Sequence, residues 1–117
     1  MIAQILDRVL KSYRIGDPNG AFPIFDANGS LAYPGRWNTP ASPLVYTSEH
    51  YSTAMLEKLV HGSGHLPPHQ HFIEITLPSG LSYEVLDVAT LSGWDAIDMA
   101  ASRGVGDAWQ KWKSCVL

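Results

Sequence analysis

Residues 35–60 constrain the fold more than any other part of this 117-residue chain. They open with a tight turn, pass through a loop rich in proline and reach the apolar run 44–46, which is typical of a short buried strand. A helical pattern follows directly. Turn, strand and helix in this order are expected to bring Arg36, Tyr46 and Glu57 within reach of one cleft.

The helical pattern covers residues 48–61, where the apolar positions have the spacing of an amphipathic helix. Thr47 or Ser48 is expected to cap its N-terminus. Glu57 lies almost opposite the centre of the apolar stripe, so periodicity alone predicts a solvated carboxylate. A cleft would still form there if another sheet folded over that side. The predicted buried residues are Tyr51, Met55, Leu56 and Leu59.

Short strands and helices are predicted on both sides of this segment. Arg14 falls in a strand, where the pattern alone favours a side chain that faces water. Gly104 and Gly106 lie within the last predicted helix and predict a break in it. In chain order, the predicted elements are an amphipathic helix over residues 2–10, strands over 11–15, 72–77 and 82–86, a helix over 98–113 and the start of a strand at 114–117.

Length and composition predict one globular domain, since 45% of the residues are hydrophobic. No apolar run reaches the roughly 20 residues that a membrane span requires. The net charge of −3 and the scattered cations argue against direct nucleic-acid binding. A single cysteine, Cys115, cannot form an internal disulfide, which fits a reducing compartment and a cytoplasmic location.

Histidines cluster between residues 61 and 71, and three of them, His65, His69 and His71, are candidate metal ligands. The same segment contains two glycines and two prolines but no cysteine or carboxylate, so the ligands would not be preorganised. A surface loop without a metal is therefore predicted. The chain also lacks a glycine-rich phosphate loop and a G-x-S-x-G nucleophile elbow.

A set of short motifs, taken in order and spacing, resembles the RES-domain family, the toxin components of bacterial Xre–RES toxin–antitoxin systems. The resemblance extends over nearly the whole chain from residue 13 onward. Each motif is modest by itself, but their order and spacing together are specific. The motifs are YRI at 13–15, YPGRWN at 33–38, VYTSE at 45–49, LEKLVH at 56–61, IEI at 73–75, GWD at 93–95 and GDAW at 106–109.

The resemblance implies an α+β fold similar to that of ADP-ribosyltransferases, with small twisted sheets flanked by short helices and NAD held between them. It implies that NAD is the substrate, cleaved at the nicotinamide–ribose bond by hydrolysis or phosphorolysis without a metal. By position, the family's substrate-binding residues match Arg14, Arg36 and Tyr46, and its catalytic residues match Glu57 and Tyr46. A cognate Xre-family antitoxin is the implied partner.

The chemistry of these residue types suits NAD. Guanidinium groups match the oxygens of a diphosphate with charge-assisted hydrogen bonds. Loss of nicotinamide leaves positive charge on the ribose, so a carboxylate such as Glu57 would stabilise the transition state. The phenol of Tyr46 would stack on nicotinamide or hydrogen-bond the ribose.

The resemblance also implies an incomplete domain. Residues 1–117 are expected to form a single RES-type domain whose C-terminal strands are missing, because the family's serine lies in a strand beyond residue 117. Two alternatives to NAD cleavage stay open. One is a catalytically dead module that binds an antitoxin or a sister subunit, and the other is an ADP-ribosyltransferase that modifies a protein. Oligomeric state also stays open, with a homo-oligomer among the alternatives.

Overall fold

The computed structural model describes residues 2–112 and 114–117. The chain combines short helices with strands that form two antiparallel pairs, so the fold class is α+β, as predicted. In order, the elements are β1 (Gln4–Ile5), β2 (Leu10–Gly16), α1 (Gly29–Ala32), α2 (Tyr51–His61), β3 (His71–Leu77), β4 (Ser82–Tyr83), a 3-10 turn (Val88–Thr90) and α3 (Ala100–Trp112).

The chain divides into two compact units. The second unit consists of Val9–Asp26 and Val45–Leu77 and contains β2, α2 and β3. The first unit comprises the described residues of Met1–Arg8, Ala27–Leu44 and Pro78–Leu117, with β1, β4, α1 and α3.

The second unit is built on the antiparallel pair of β2 and β3, whose register runs from Leu10 opposite Leu77 to Gly16 opposite His71. Alternating side chains suit both segments to a two-faced strand, and the strands predicted over 11–15 and 72–77 are confirmed. Ser48 pairs with Tyr13 through two backbone hydrogen bonds of 2.7 and 2.8 Å. Helix α2 packs along β2.

Helix α2 is confirmed in place but not in its cap or its buried side. It begins at Tyr51 with His50 as its N-cap residue, so the predicted cap at Thr47 or Ser48 is wrong. Ser48 is used in the pairing with Tyr13 instead. The buried residue of α2 is Ala54, which is 6% exposed, whereas Tyr51 and Leu56 from the predicted buried stripe are 41% and 61% exposed. The stripe is misplaced because the small residue Ala54 allows α2 to pack closely on β2, whereas hydrophobic periodicity favours the larger apolar residues beside it.

The strand predicted at residues 44–46 is also wrong. No regular strand forms there, and Val45 is 39% exposed. Side chains take the place of a strand partner at both ends of this run. The backbone N–H of Leu44 donates to the hydroxyl of Ser30 at 2.8 Å, and the carbonyl of Tyr46 accepts from the guanidinium of Arg14 at 3.0 Å.

The first unit contains the pair of β1 and β4, with Gln4 opposite Tyr83. The helix predicted over residues 2–10 is therefore wrong. The backbone N–H of Leu6 donates to the carbonyl of Leu81 at 2.9 Å, which continues the pairing beyond β1. Isoleucine favours strands when a partner is available, and that partner lies far away in the sequence. The strand predicted over 82–86 is shorter than expected, and Val116 bridges to Tyr83.

Helix α3 runs without interruption from Ala100 to Trp112, so the break predicted at Gly104 and Gly106 is wrong. The end predicted at Lys113 lies outside the described residues. At Gly106 a Cβ atom would collide with the backbone of Trp37, whereas at Gly104 a Cβ atom would meet nothing within 4 Å. Gly106 therefore serves close packing between the helix and the loop of Trp37.

Candidate functional site

Arg14 is the best-anchored of the predicted site residues in the second unit. Its Nε donates to the carbonyl of Ile24 at 2.6 Å, and its Nη1 donates to the carbonyl of Tyr46 at 3.0 Å. The side chain is half-buried rather than facing water, and burial lowers the pKa of its guanidinium. Arg14 thus fastens two irregular segments to strand β2 while keeping its charge.

Lys58 lies near Arg14, and sequence analysis missed it. It follows Ala54 by one helical turn, so it shares the side of α2 that is buried. Lys58 is half-buried. Burial lowers the pKa of Lys58 below its ordinary value, and repulsion by Arg14 lowers it further. The small residue Ala54 was the sequence signal that could have identified this side of the helix.

Arg14 and Lys58 form a pair of like charges that we call the cation pair. Within residues 2–112 and 114–117, neither side chain has a carboxylate at ion-pair distance. Half-buried cations that repel each other destabilise a fold unless an anion offsets them. The cation pair therefore leaves unbalanced positive charge in the second unit.

Glu57 is adjacent to Lys58 but lies on the exposed side of α2, together with Thr53 and His61. The carboxylate has no hydrogen bond or ion pair with the part of the chain that the structure describes. It is accessible to a ligand from solution. Its catalytic role stays a prediction.

Tyr46 is half-buried and belongs to the same unit as Arg14 and Glu57. Its backbone carbonyl is held by the guanidinium of Arg14, which fixes the position of this residue beside β2. The structure thus brings Arg14 and Tyr46 into direct contact. The roles predicted for the Tyr46 phenol are untested and stay predictions.

Arg36 belongs to the first unit. Its Nη1 donates to the carbonyls of Trp94 and Ala96 at 3.1 and 3.2 Å, so one nitrogen holds two carbonyls of a single loop. The side chain is half-buried. Its predicted contact with NAD remains a prediction.

The turn that carries Arg36 is held by Asn38, which is fully buried. The Oδ1 of Asn38 accepts from the backbone N–H of Gly35 at 2.8 Å. Its Nδ2 donates to the carbonyls of Ser30 at 2.8 Å and Thr39 at 3.1 Å. Donor and acceptor sides of the amide are both used, as burial of a polar group requires.

Helix α3 holds the same loop through three side chains spaced along one face, Arg103, Asp107 and Gln110. The Nε of Arg103 donates to the carbonyl of Gly35 at 3.1 Å. Asp107 accepts from the hydroxyls of Thr39 and Ser42, and Gln110 donates to the carbonyl of Pro43. This spacing places the three side chains on successive turns, so α3 fixes the conformation of the loop.

Two absences concern residues 2–112 and 114–117. Among those residues, no group of three histidine, cysteine, aspartate or glutamate side chains could hold a metal ion. None of the described helices has both the length and the apolar character needed to cross a membrane.

Similarity to known proteins defines the family of this chain. The RES domain matches residues 11–116, and this chain belongs to that family. A relative named Toxin Res, from Photorhabdus laumondii subsp. laumondii, is 30% identical over 100 residues. The match covers 83% of this chain and 64% of the relative, which is less than two thirds of that protein's length.

Proposed function

We propose that this RES-domain chain is a toxin that cleaves NAD at the nicotinamide–ribose bond, with an ADP-ribosyltransferase-like arrangement of its elements. Family membership supports the proposal. The observation that carries it is the anchored guanidinium of Arg14, a half-buried cation without a carboxylate partner in the described chain. Such a group suits the diphosphate of NAD.

In the proposed reaction, the bond between the ribose carbon and the nicotinamide nitrogen breaks, and its electron pair leaves with neutral nicotinamide. The ribose carbon becomes cationic, and the carboxylate of Glu57 stabilises that charge. Water or phosphate then adds to the ribose carbon, and in hydrolysis the water gives up one proton. Arg14 and Arg36 bind the substrate, and the Tyr46 phenol orients its ribose or nicotinamide.

Release of nicotinamide from NAD tests this function, with Glu57→Gln as the decisive variant. We expect the substitution to slow release by on the order of 10²–10³ because it removes the stabilising charge. Glu49→Gln is the matched control, since Glu49 is also exposed and lies just before α2. Equal release by the parent chain and Glu57→Gln would contradict the assigned role, and no release by the parent would contradict the function.

The acceptor of the ribose is tested in the same reaction by using NAD labelled on its adenosine half. Label in free ADP-ribose or its phosphorylated form supports hydrolysis or phosphorolysis. Label on protein in a cell extract would favour protein ADP-ribosylation instead. We also propose a cognate Xre-family antitoxin as the partner, and its co-expression is expected to relieve growth arrest caused by the chain.

A further inference from the structure

The backbone that leads into Arg36 is held by Arg103, a residue of helix α3. The Nε of Arg103 donates to the carbonyl of Gly35 at 3.1 Å, and its Nη2 makes a longer contact of 3.5 Å with the carbonyl of Pro34. The N–H of Gly35 donates to the side chain of buried Asn38 at 2.8 Å. Both peptide groups that flank Gly35 are therefore held. Because peptide groups are planar, these contacts also fix the direction in which the Arg36 side chain leaves the backbone.

The guanidinium of Arg36 is held by the loop that leads into the same helix. Its Nη1 donates to the carbonyls of Trp94 and Ala96 at 3.1 and 3.2 Å. This loop ends at Met99, whose φ of 58° lies in the left-handed region and whose carbonyl accepts from the backbone N–H of Arg103 at 3.0 Å. Helix α3 and the loop before it thus hold Arg36 at both ends, Arg103 at its backbone and the loop at its guanidinium.

Both arginines keep their charge while they hold this structure, because their acceptors are neutral carbonyls. Within residues 2–112 and 114–117, neither guanidinium has a carboxylate at ion-pair distance. The Nε and Nη2 of Arg36 have no acceptor in the same part of the chain. Arg36 therefore has donors left for a ligand, and the carbonyls that bind its Nη1 fix the plane of those donors.

We infer that Arg103 is the positioning residue for Arg36 and acts on the substrate only through it. This inference rests on the proposed function, in which Arg36 binds NAD. With both ends of Arg36 fixed, its remaining donors are oriented before NAD binds, so less conformational freedom is lost on binding. Without Arg103, the charge of Arg36 remains but its direction is no longer fixed, and NAD binds more weakly.

Steady-state nicotinamide release tests this inference through a double-mutant cycle in which Arg36 and Arg103 are each replaced by methionine. We expect either single substitution to raise the KM for NAD about tenfold with kcat nearly unchanged, because an oriented, charge-assisted contact is lost. Since Arg103 acts through Arg36, the double variant should have the KM of Arg36→Met alone. Arg103→Lys keeps a charged donor and should raise KM less than Arg103→Met does.

Lys111→Met is the matched control, because it removes an exposed cation from the same helix, and it should have the KM of the parent. Independent effects of Arg36→Met and Arg103→Met that multiply in the double variant would overturn the inference. An unchanged KM in either single variant would overturn it as well. Should Arg103→Met fail to fold, Arg103→Lys decides. It should raise the KM of the parent but not that of Arg36→Met, and no rise, or an equal rise in both, overturns the inference.

Binding of ADP-ribose to the same variants, measured by titration calorimetry, separates this inference from the proposed function. ADP-ribose keeps the diphosphate and has no nicotinamide to lose. Binding that weakens in both single variants and no further in the double variant, without nicotinamide release by the parent, supports the positioning role and contradicts NAD cleavage. Release that is equal in the parent and in Arg103→Met at limiting NAD overturns the positioning role and leaves NAD cleavage intact. A parent that neither releases nicotinamide nor binds ADP-ribose contradicts both.

Discussion

Arg14 and Arg36 are the two arginines predicted to bind the substrate, and their surroundings differ. Both are half-buried and both donate to two backbone carbonyls. Arg14 uses two nitrogens to hold two segments, and a second cation lies near it. Arg36 uses a single nitrogen to hold one loop. An arginine that holds backbone carbonyls in place can therefore keep a positive charge that no carboxylate among the described residues neutralises.

The same contrast extends to the two units. In the first unit, buried Asn38 and half-buried Asp107 are satisfied by neighbouring polar groups. In the second unit, the Ser12 hydroxyl lacks a partner and the cation pair lacks a counter-ion within the described residues. Polar groups in the first unit therefore stabilise the fold, whereas these groups of the second unit are not offset by neighbours among the described residues. Removing such a polar side chain should lower the free energy of unfolding when it lies in the first unit. Removing a member of the cation pair should raise it.

Asn38→Ala should give the largest effect on stability and sharpen this contrast. It removes hydrogen bonds to Gly35, Ser30 and Thr39 at a fully buried position. Buried groups left without partners cost about 1–3 kcal/mol each, so we expect a loss on the order of 3 kcal/mol in denaturant unfolding. Asn19→Ala, in an exposed turn, is the control. Equal small losses in both variants would show that the loop is not held by Asn38.

Gly106→Ala should come next, because a Cβ atom at this position collides with the backbone of Trp37. Overpacking of this kind costs about 1–3 kcal/mol. Gly104→Ala, on the same helix, meets open space and should instead stabilise α3 by up to about 1 kcal/mol, since alanine favours helices over glycine. Urea unfolding of the two variants measures both values. The same sign for both would contradict the close packing of α3 on the loop.

Lys58→Met should have the smallest effect and the opposite sign. The folded-state pKa of Lys58 is lowered, so the unfolded chain binds more protons between that pKa and the ordinary value of 10.5. The charged side chain therefore destabilises the fold fully below the lowered pKa, and this penalty disappears as pH rises through 10.5. Because Lys58 is only half-buried and solvent still screens its charge, we expect a gain of only about 0.2–1 kcal/mol at pH 7.

Urea unfolding at pH 7 and at pH 11 checks this sign. The difference between Lys58→Met and the parent should be positive at pH 7 and close to zero at pH 11. Lys111→Met should show no difference at either pH. A parent more stable than Lys58→Met at pH 7 would mean that the lysine stabilises the second unit and would remove the contrast between the units.

Local sequence patterns predicted part of this structure, and distant contacts explain the rest. The alternation at residues 72–77 is a property of the strand itself, and β3 forms there. β1 instead requires Ser82 and Tyr83 as partners, which no local pattern in residues 2–10 reveals. Gly106 is likewise explained by Trp37, a residue of another segment.

The candidate site divides in the same way. Resemblance to the RES-domain family predicted Arg14 and Tyr46 as site residues, and the guanidinium of Arg14 donates to the backbone carbonyl of Tyr46. Helical periodicity could not identify Lys58, because the buried side of α2 depends on how closely β2 packs against it. Ala54 permits that packing. Hydrophobic periodicity favours Leu56 over Ala54 on the buried side of α2. The buried side predicted from the sequence therefore does not include Lys58.

We propose that the unbalanced charge of the second unit binds the diphosphate of NAD. Thermal unfolding of the parent chain and of Lys58→Met, with and without NAD, tests it most directly. A hundredfold excess of NAD over the dissociation constant stabilises a protein by about 2.7 kcal/mol, and ADP-ribose formed during the scan keeps the diphosphate. We predict that Lys58→Met unfolds at the higher temperature without NAD and that the parent does so with NAD. Equal stabilisation of both by NAD, or of neither, would contradict the account.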